Sequence, residues 1–145
     1  MTDNRSIRPF HLAFPVRDIQ ETETWYTTIL GCTTGRKSEK WIDFNFFGHQ
    51  VVAHLSDNIE NIQTNDVDDD DVPCRHFGII LTPKDWKDLL SRFKSKKIIF
   101  EINPHTRFKG KVGEQHTMFI KDPSGNFLEF KAFENDSNIF DSDRV

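Results

Sequence analysis

The sequence predicts an α+β fold made of two copies of a β-α-β-β-β module, and three observations predict it. A histidine opens a strand-like segment in each half, His11 in Phe10-His11-Leu12-Ala13-Phe14 and His76 in Arg75-His76-Phe77-Gly78-Ile79. A capped helical stripe follows each of these segments, and alternating apolar strands follow each helix. Each half then closes on a strand with a second metal-competent residue, His54 within 51–55 and Glu129 within 127–130. A repeated unit carrying His, His, His and Glu at matching places suggests a metal site between the halves.

The first module opens with residues 10–16, where Phe10, Leu12, Phe14 and Val16 share one face of a period-two strand. His11, Ala13 and Pro15 share the other. Asp18 has the chemistry of a helix N-cap, with Glu21 three residues on in the capping-box position. Thr22, Trp25, Tyr26, Ile29 and Leu30 form a helical stripe, and Gly31 suits the left-handed position that ends a helix. Ile42, Phe44 and Phe46 alternate within 41–47, Gly48-His49 supplies a turn, and 50–55 forms the next strand.

Segment 56–73 changes character. Its run Asp66-Val67-Asp68-Asp69-Asp70-Asp71 lacks the oxygen spacing and the glycine of an EF-hand loop, so it reads as a solvated acidic linker. The plan then recurs, with Phe77, Ile79 and Leu81 on one strand face and His76, Gly78 and Ile80 on the other. Thr82 caps a helix whose first turn accepts Pro83. Trp86, Leu89, Leu90 and Phe93 stand at i, i+3, i+4 and i+7, and Lys94, Lys96 and Lys97 favour its C-terminal end. Further strands are expected at 98–102, 116–120 and 127–133, with Asp122-Pro123-Ser124-Gly125-Asn126 as the turn before the last. The organisation is thus one domain over 1–145: a first module at 9–55, the linker at 56–73, a second module at 74–133 and a tail at 134–145.

Composition excludes several function classes. With 145 residues, 36% hydrophobic, 29% charged and a net charge of −4, the chain reads as an ordinary globule without a global pull toward nucleic acid or anionic membrane. No apolar run approaches the roughly 20 residues of a membrane-spanning helix. Met1-Thr2-Asp3-Asn4-Arg5-Ser6 lacks the apolar core of a signal peptide. Cys32 and Cys74 are too few for a disulfide scaffold, and Cys74 reads as a small buried thiol. A cytoplasmic protein with no nucleic-acid or membrane partner is expected.

Strand alternation sharpens the chemistry. In each opening strand the apolar face must cover the core beneath its helix, so the histidine lies on the opposite face beside a small residue, Ala13 or Gly78. Glu129 sits between Leu128 and Phe130, where a carboxylate is costly unless paired or metal-bound. Imidazole nitrogen and carboxylate oxygen suit iron, manganese, nickel or zinc.

Two segments carry a family resemblance. They are Phe10-His11-Leu12-Ala13-Phe14-Pro15-Val16-Arg17-Asp18, with Trp25-Tyr26 and Leu30-Gly31, and Phe119-Ile120-Lys121-Asp122-Pro123-Ser124-Gly125-Asn126-Phe127-Leu128-Glu129. The chain resembles the vicinal oxygen chelate superfamily of glyoxalase I, bleomycin-resistance proteins and extradiol dioxygenases over nearly all of 9–133. The resemblance implies two paired βαβββ modules forming a half-open barrel, with ligands from the first and last strands of each, here His11, His54, His76 and Glu129. It also implies a homodimer.

His11, His76 and Glu129 make the two-histidine, one-carboxylate set of non-haem ferrous oxygenases, leaving open positions for a bidentate substrate. His54 is either a fourth ligand or an acid/base over the substrate, and Glu129 shares that catalytic role as ligand or base. The expected function is divalent-metal chemistry, with Fe2+ favoured over Mn2+, Ni2+ or Zn2+, on a small molecule with two adjacent oxygens. An extradiol-dioxygenase-like activity leads, with a glyoxalase-I-like lyase and a non-catalytic bleomycin-resistance-like binding protein as alternatives. The basic loop around 104–113 brings Arg107, and the following strand His116, as pocket candidates.

Overall fold

A computed structural model describes residues 6–142. The amino-terminal stretch read above for a leader, apart from Ser6, and the last three positions of the tail lie outside them. The chain forms two compact units that divide after Ile59.

The first unit runs β1 (His11–Val16), α1 (Ile19–Thr28), β2 (Thr33–Lys37), β3 (Trp41–Phe46) and β4 (His49–Leu55). Its sheet has the order β1-β4-β3-β2, with β1 parallel to β4 and the other pairs antiparallel. Asp18 caps α1 by accepting from the Glu21 amide at 2.7 Å, while the Glu21 carboxylate takes the Arg17 guanidinium. Just beyond the helix, Gly31 takes a φ of +74°, which lets the Cys32 amide reach back to the Tyr26 carbonyl. Tyr26 is fully buried and stacks on Phe44 and Phe14 at centroid distances of 4.9 and 5.6 Å. Ile42, Phe46, Val51 and Ala53 complete this core, each large apolar side chain adding about 1.5–3 kcal/mol by burial.

The second unit contains β5 (Gln63–Val67), β6 (Asp70–Cys74), β7 (Phe77–Leu81), α2 (Pro83–Ser95), β8 (Ile102–Arg107), β9 (Gln115–Lys121) and β10 (Phe127–Phe133). A short 3-10 turn at Asp136–Asn138 follows. Its main sheet has the order β7-β10-β9-β8, again with the first pair parallel, so both units share one topology. Thr82 caps α2 and Pro83 starts it. Trp86, Leu89 and Phe93 are buried against the sheet, and the Trp86 indole donates to the Phe130 carbonyl at 2.8 Å.

Three expectations change here. The acidic run is part of a hairpin: β5 and β6 pair across Asp68 and Asp69, which take φ of +51° and +66°, the left-handed pair of a tight two-residue turn. The strand expected at 98–102 begins instead at Ile102 and runs through Pro104. Proline is tolerated there because β8 is an edge strand and its register shifts between Ile102 and His105. Cys74 is exposed, whereas Cys32 is buried and burial pushes its thiol up to about 11. No helix among the described residues is long and apolar enough to cross a membrane.

Candidate functional site

In the second unit, alternation along β10 decides where Glu129 points. Leu128, Phe130 and Ala132 are fully buried toward the helix side, so Glu129 and Lys131 take the other face. There Glu129 lies opposite Phe119 of β9 and Gly78 of β7. The backbones of β7 and β10 approach so closely that a Cβ on Gly78 would stand 1.5 Å from the Glu129 carbonyl oxygen. His76, just before β7, places Nε2 2.9 Å from Glu129 Oε2. Thr117 donates to Glu129 Oε1 at 2.8 Å, and Lys131 Nζ stands 3.4 Å from the same oxygen.

These contacts set the charges. Burial alone would raise the Glu129 carboxyl, yet the His76 hydrogen bond, the Lys131 charge and the Thr117 hydroxyl outweigh it and hold the group below the usual carboxylate range. The hydrogen bond to Glu129 raises His76 above its ordinary value, against a smaller desolvation effect. His76 Nδ1 is engaged by the Pro73 carbonyl, which fixes its N–H there and leaves Nε2 as the reactive nitrogen whenever the ring is neutral.

His76 and Glu129 open onto a cavity of about 240 Å3 within this unit, with Thr117, His105, Arg107 and Lys131 also on its wall. The β5–β6 hairpin supplies Asp68 and Asp70 to the same wall. Arg107 reaches across to Asp68, Nε to Oδ2 at 2.6 Å, tying β8 to the hairpin turn.

In the first unit His11 is exposed at the start of β1, and its Nδ1 lies 2.8 Å from Gln50 Oε1. The Gln50 amide nitrogen donates in turn to the buried Asp43 carboxylate at 3.3 Å, which orients the amide with its oxygen toward His11. His11 therefore donates through Nδ1 and presents Nε2 as an acceptor, the same tautomer that the Pro73 carbonyl selects in His76.

The strand registers place His54 two residues beyond the position that matches Glu129. Glu129 faces Gly78, two residues after His76; in the first unit the residue two after His11 is Ala13, and it faces Val52. Val52, a buried aliphatic side chain, thus holds the place of Glu129, and His54 holds the place of Lys131. His54 pairs with Pro15 and lies four residues beyond Gln50 along β4, roughly 13 Å from the residue that meets His11. The structure joins His76 to Glu129 and His11 to Gln50, and it does not join His11 to His54.

His116 is also displaced from its expected place. Thr117 and Phe119 face the cavity, so His116, Met118 and Ile120 face the helix side of β9. There the His116 ring lies 5.5 Å from Trp86, its Nδ1 is 2.9 Å from the Thr106 hydroxyl, and its Nε2 meets the Glu134 carboxylate. Arg107 does line the cavity. Sequence reading missed Thr117, Asp43 and Gln50; Gln50 could have been found as the residue of β4 two positions before Val52 on the histidine-bearing face.

The donor set fits a divalent ion as far as each unit carries it. The second unit offers a tautomer-fixed imidazole beside a carboxylate, and the first a tautomer-fixed imidazole backed by Gln50 and Asp43.

The chain belongs to the glyoxalase/bleomycin resistance protein/dioxygenase superfamily, whose family model matches residues 8–130. Among solved structures it is similar to a glyoxalase/bleomycin resistance protein/dioxygenase from Alicyclobacillus acidocaldarius. That likeness has 36% identity, covers 92% of this chain and 96% of that one, and gives a TM-score of 0.79. A genomically encoded fosfomycin resistance protein from Listeria monocytogenes shares the fold at 15% identity, with 95% and 98% of the two chains covered and a TM-score of 0.67. A lactoylglutathione lyase from Agrobacterium tumefaciens does so at 16% identity, with 90% and 96% covered and a TM-score of 0.60. No curated protein matches the chain significantly.

Proposed function

We propose that this protein is a divalent-metal-dependent enzyme acting on a small molecule with two adjacent oxygens, with His11, His76 and Glu129 as the metal ligands. The observation that carries the reading is the matched preparation of the two histidines. Each has Nδ1 tied to a carbonyl oxygen, of Gln50 or of Pro73, so that in the neutral ring Nε2 is the nitrogen left for a metal. Membership of a superfamily whose members commonly use divalent metals supports it. A bound ion, Fe2+ before Mn2+, Ni2+ or Zn2+, supplies Lewis acidity toward the paired oxygens.

The chain's own residues do the rest. Thr117 holds the Glu129 rotamer, and Phe119 packs edge-on against the His76 ring at 5.0 Å. Lys131 and Arg107 are the cations on the cavity wall that can receive an anionic part of the substrate. The three-ligand set, with Val52 where a fourth ligand would stand, favours extradiol-dioxygenase-like chemistry over a glyoxalase-I-like lyase. The homodimer and the cytoplasmic location expected from the sequence stay part of the proposal.

One observation favours a second reading, a metal-free binding protein. Glu129 already has His76, Thr117 and Lys131 as partners, so its charge is satisfied without an ion. Metal analysis separates the two. Protein purified without chelator is expected to retain or rebind Fe2+ or Mn2+, and Glu129→Gln to weaken that binding by at least about 100-fold. Equal binding of these ions by both proteins would overturn the ligand assignment. Oxygen uptake with catechols, against hemithioacetal isomerisation, then separates the dioxygenase from the lyase.

A further inference from the structure

On the opposite face of the second sheet, Glu114, His116 and Glu134 bring one donor atom each to within 4.8 Å of one another. They are the one such group of three among the described residues, and they arrive from three separate segments: the loop before β9, β9 itself and the chain just after β10. His116 lies on the side of β9 opposite Thr117 and Phe119, so the cluster is distinct from the cavity that holds His76 and Glu129.

We propose that Glu114, His116 and Glu134 form a second, structural site for a divalent cation of the zinc class. The side chains are prepared for it. The Thr106 hydroxyl occupies His116 Nδ1, which turns Nε2 toward the carboxylates, and Trp86 flanks the ring at 5.5 Å. Glu114 is anchored by the Gly110 amide, which donates to its Oε1 at 2.7 Å, so the loop holds this carboxylate in position. Glu134 is half exposed just after β10, with its carboxylate already against His116 Nε2.

Ligands on a tetrahedral ion with bonds of about 2.1 Å stand roughly 3.4 Å apart, so small rotations of the two glutamates convert the cluster into a coordination shell. One imidazole and two carboxylates meet the zinc preference for nitrogen and oxygen donors, with water completing the shell. A cation here would fasten the 108–114 loop to the end of β10. That loop continues from Arg107 of the cavity wall, so the site braces the cavity from behind without entering it.

The test uses a His76→Gln/Glu129→Gln double variant of the full chain, which removes two of the three ligands proposed above, leaving His11 alone, and makes the two sites separable. Zn2+ alone is titrated by calorimetry, with tryptophan fluorescence reporting on Trp86. One Zn2+ per chain is expected, with a change in fluorescence and a rise in Tm. Adding Glu134→Gln, a surface change that spares the fold, should weaken the binding at least tenfold, and His116→Gln should do the same. No Zn2+ binding, or binding weakened less than tenfold by both substitutions, would show the cluster to be only a histidine–carboxylate pairing. Loss of Fe2+ or Mn2+ binding at His76 and Glu129 alone would leave this site intact, so the two proposals fail separately.

Discussion

The two units share a topology and a register but not a chemistry. Where β10 carries Glu129, β4 carries Val52; where β10 carries Lys131, β4 carries His54; and where β7 has Gly78, β1 has Ala13. Each opening histidine is fixed through Nδ1, yet by different means. The second unit uses a backbone carbonyl, that of Pro73, and the first a side-chain relay from Asp43 through Gln50. Repetition of the fold therefore repeats the place of the imidazole, while the carboxylate and its cations belong to the second unit alone. A fold unit can be duplicated in every strand pairing and still leave the chemistry one-sided.

The largest expected effect tests the backbone side of that difference. Gly78→Ala would set a Cβ 1.5 Å from the Glu129 carbonyl oxygen, so β7 must part from β10. We expect a loss of at least about 3 kcal/mol, or a Tm lower by roughly 10 °C. At the matching place in the first unit alanine is native, and Ala13→Gly should cost only about 1 kcal/mol. Equal and small effects on thermal denaturation would show that the tight approach in the second unit does not matter.

Next comes the relay. Gln50→Ala leaves His11 without its orienting carbonyl while leaving every proposed ligand residue itself unchanged. A loss of metal affinity of about 10-fold is expected, within the range seen when partners of ligands are removed. Titration of Mn2+ into the purified variant measures it, and an unchanged affinity would break the parallel between Gln50 and the Pro73 carbonyl.

The pairing in the second unit also makes the metal-free protein pH-dependent. His76 is raised from its ordinary 6.5, so its contribution is complete below that value and is lost as pH rises through the higher folded value. Glu129 is lowered from its ordinary 4.5, so its contribution is complete above that value and is lost as pH falls through the lower folded value. Chelator-treated protein should therefore lose this part of its stability on moving from pH 6 to pH 8 or above. Glu129→Gln should flatten that part of the Tm profile; a slope unchanged by the substitution would mean that the pair contributes nothing.

Much of this was legible in the sequence, and the failures have physical causes. Alternation located β1, β3 and β7, and Asp18, Thr82 and Gly31 marked the helix ends. Thr33–Lys37 carried no signal, since β2 is exposed throughout and its residues need not alternate. The acidic run concealed a hairpin because Asp68 and Asp69 serve as left-handed turn residues, a use that composition does not distinguish from solvation. At the site, Glu129 was visible as a carboxylate between two core residues. His116 was misplaced although its parity with Met118 and Ile120 already put it on the helix side.

His54 is the sharpest case, and it yields the smallest predicted effect. Spacing along the chain identifies a last strand but not which of its residues stands beside the opening histidine; only inter-strand pairing does that. A displacement of two residues keeps a side chain on the same face while moving it roughly 7 Å along the strand, beyond the reach of a shared ion. His54→Ala should accordingly leave metal affinity within about twofold of the parent, since the residue is exposed and occupies the place of Lys131 rather than that of Glu129. Measured beside Gln50→Ala, it asks whether the register or the residue type decides the ligand. A tenfold loss for His54→Ala would restore histidine as the fourth ligand and return the glyoxalase-like reading to first place.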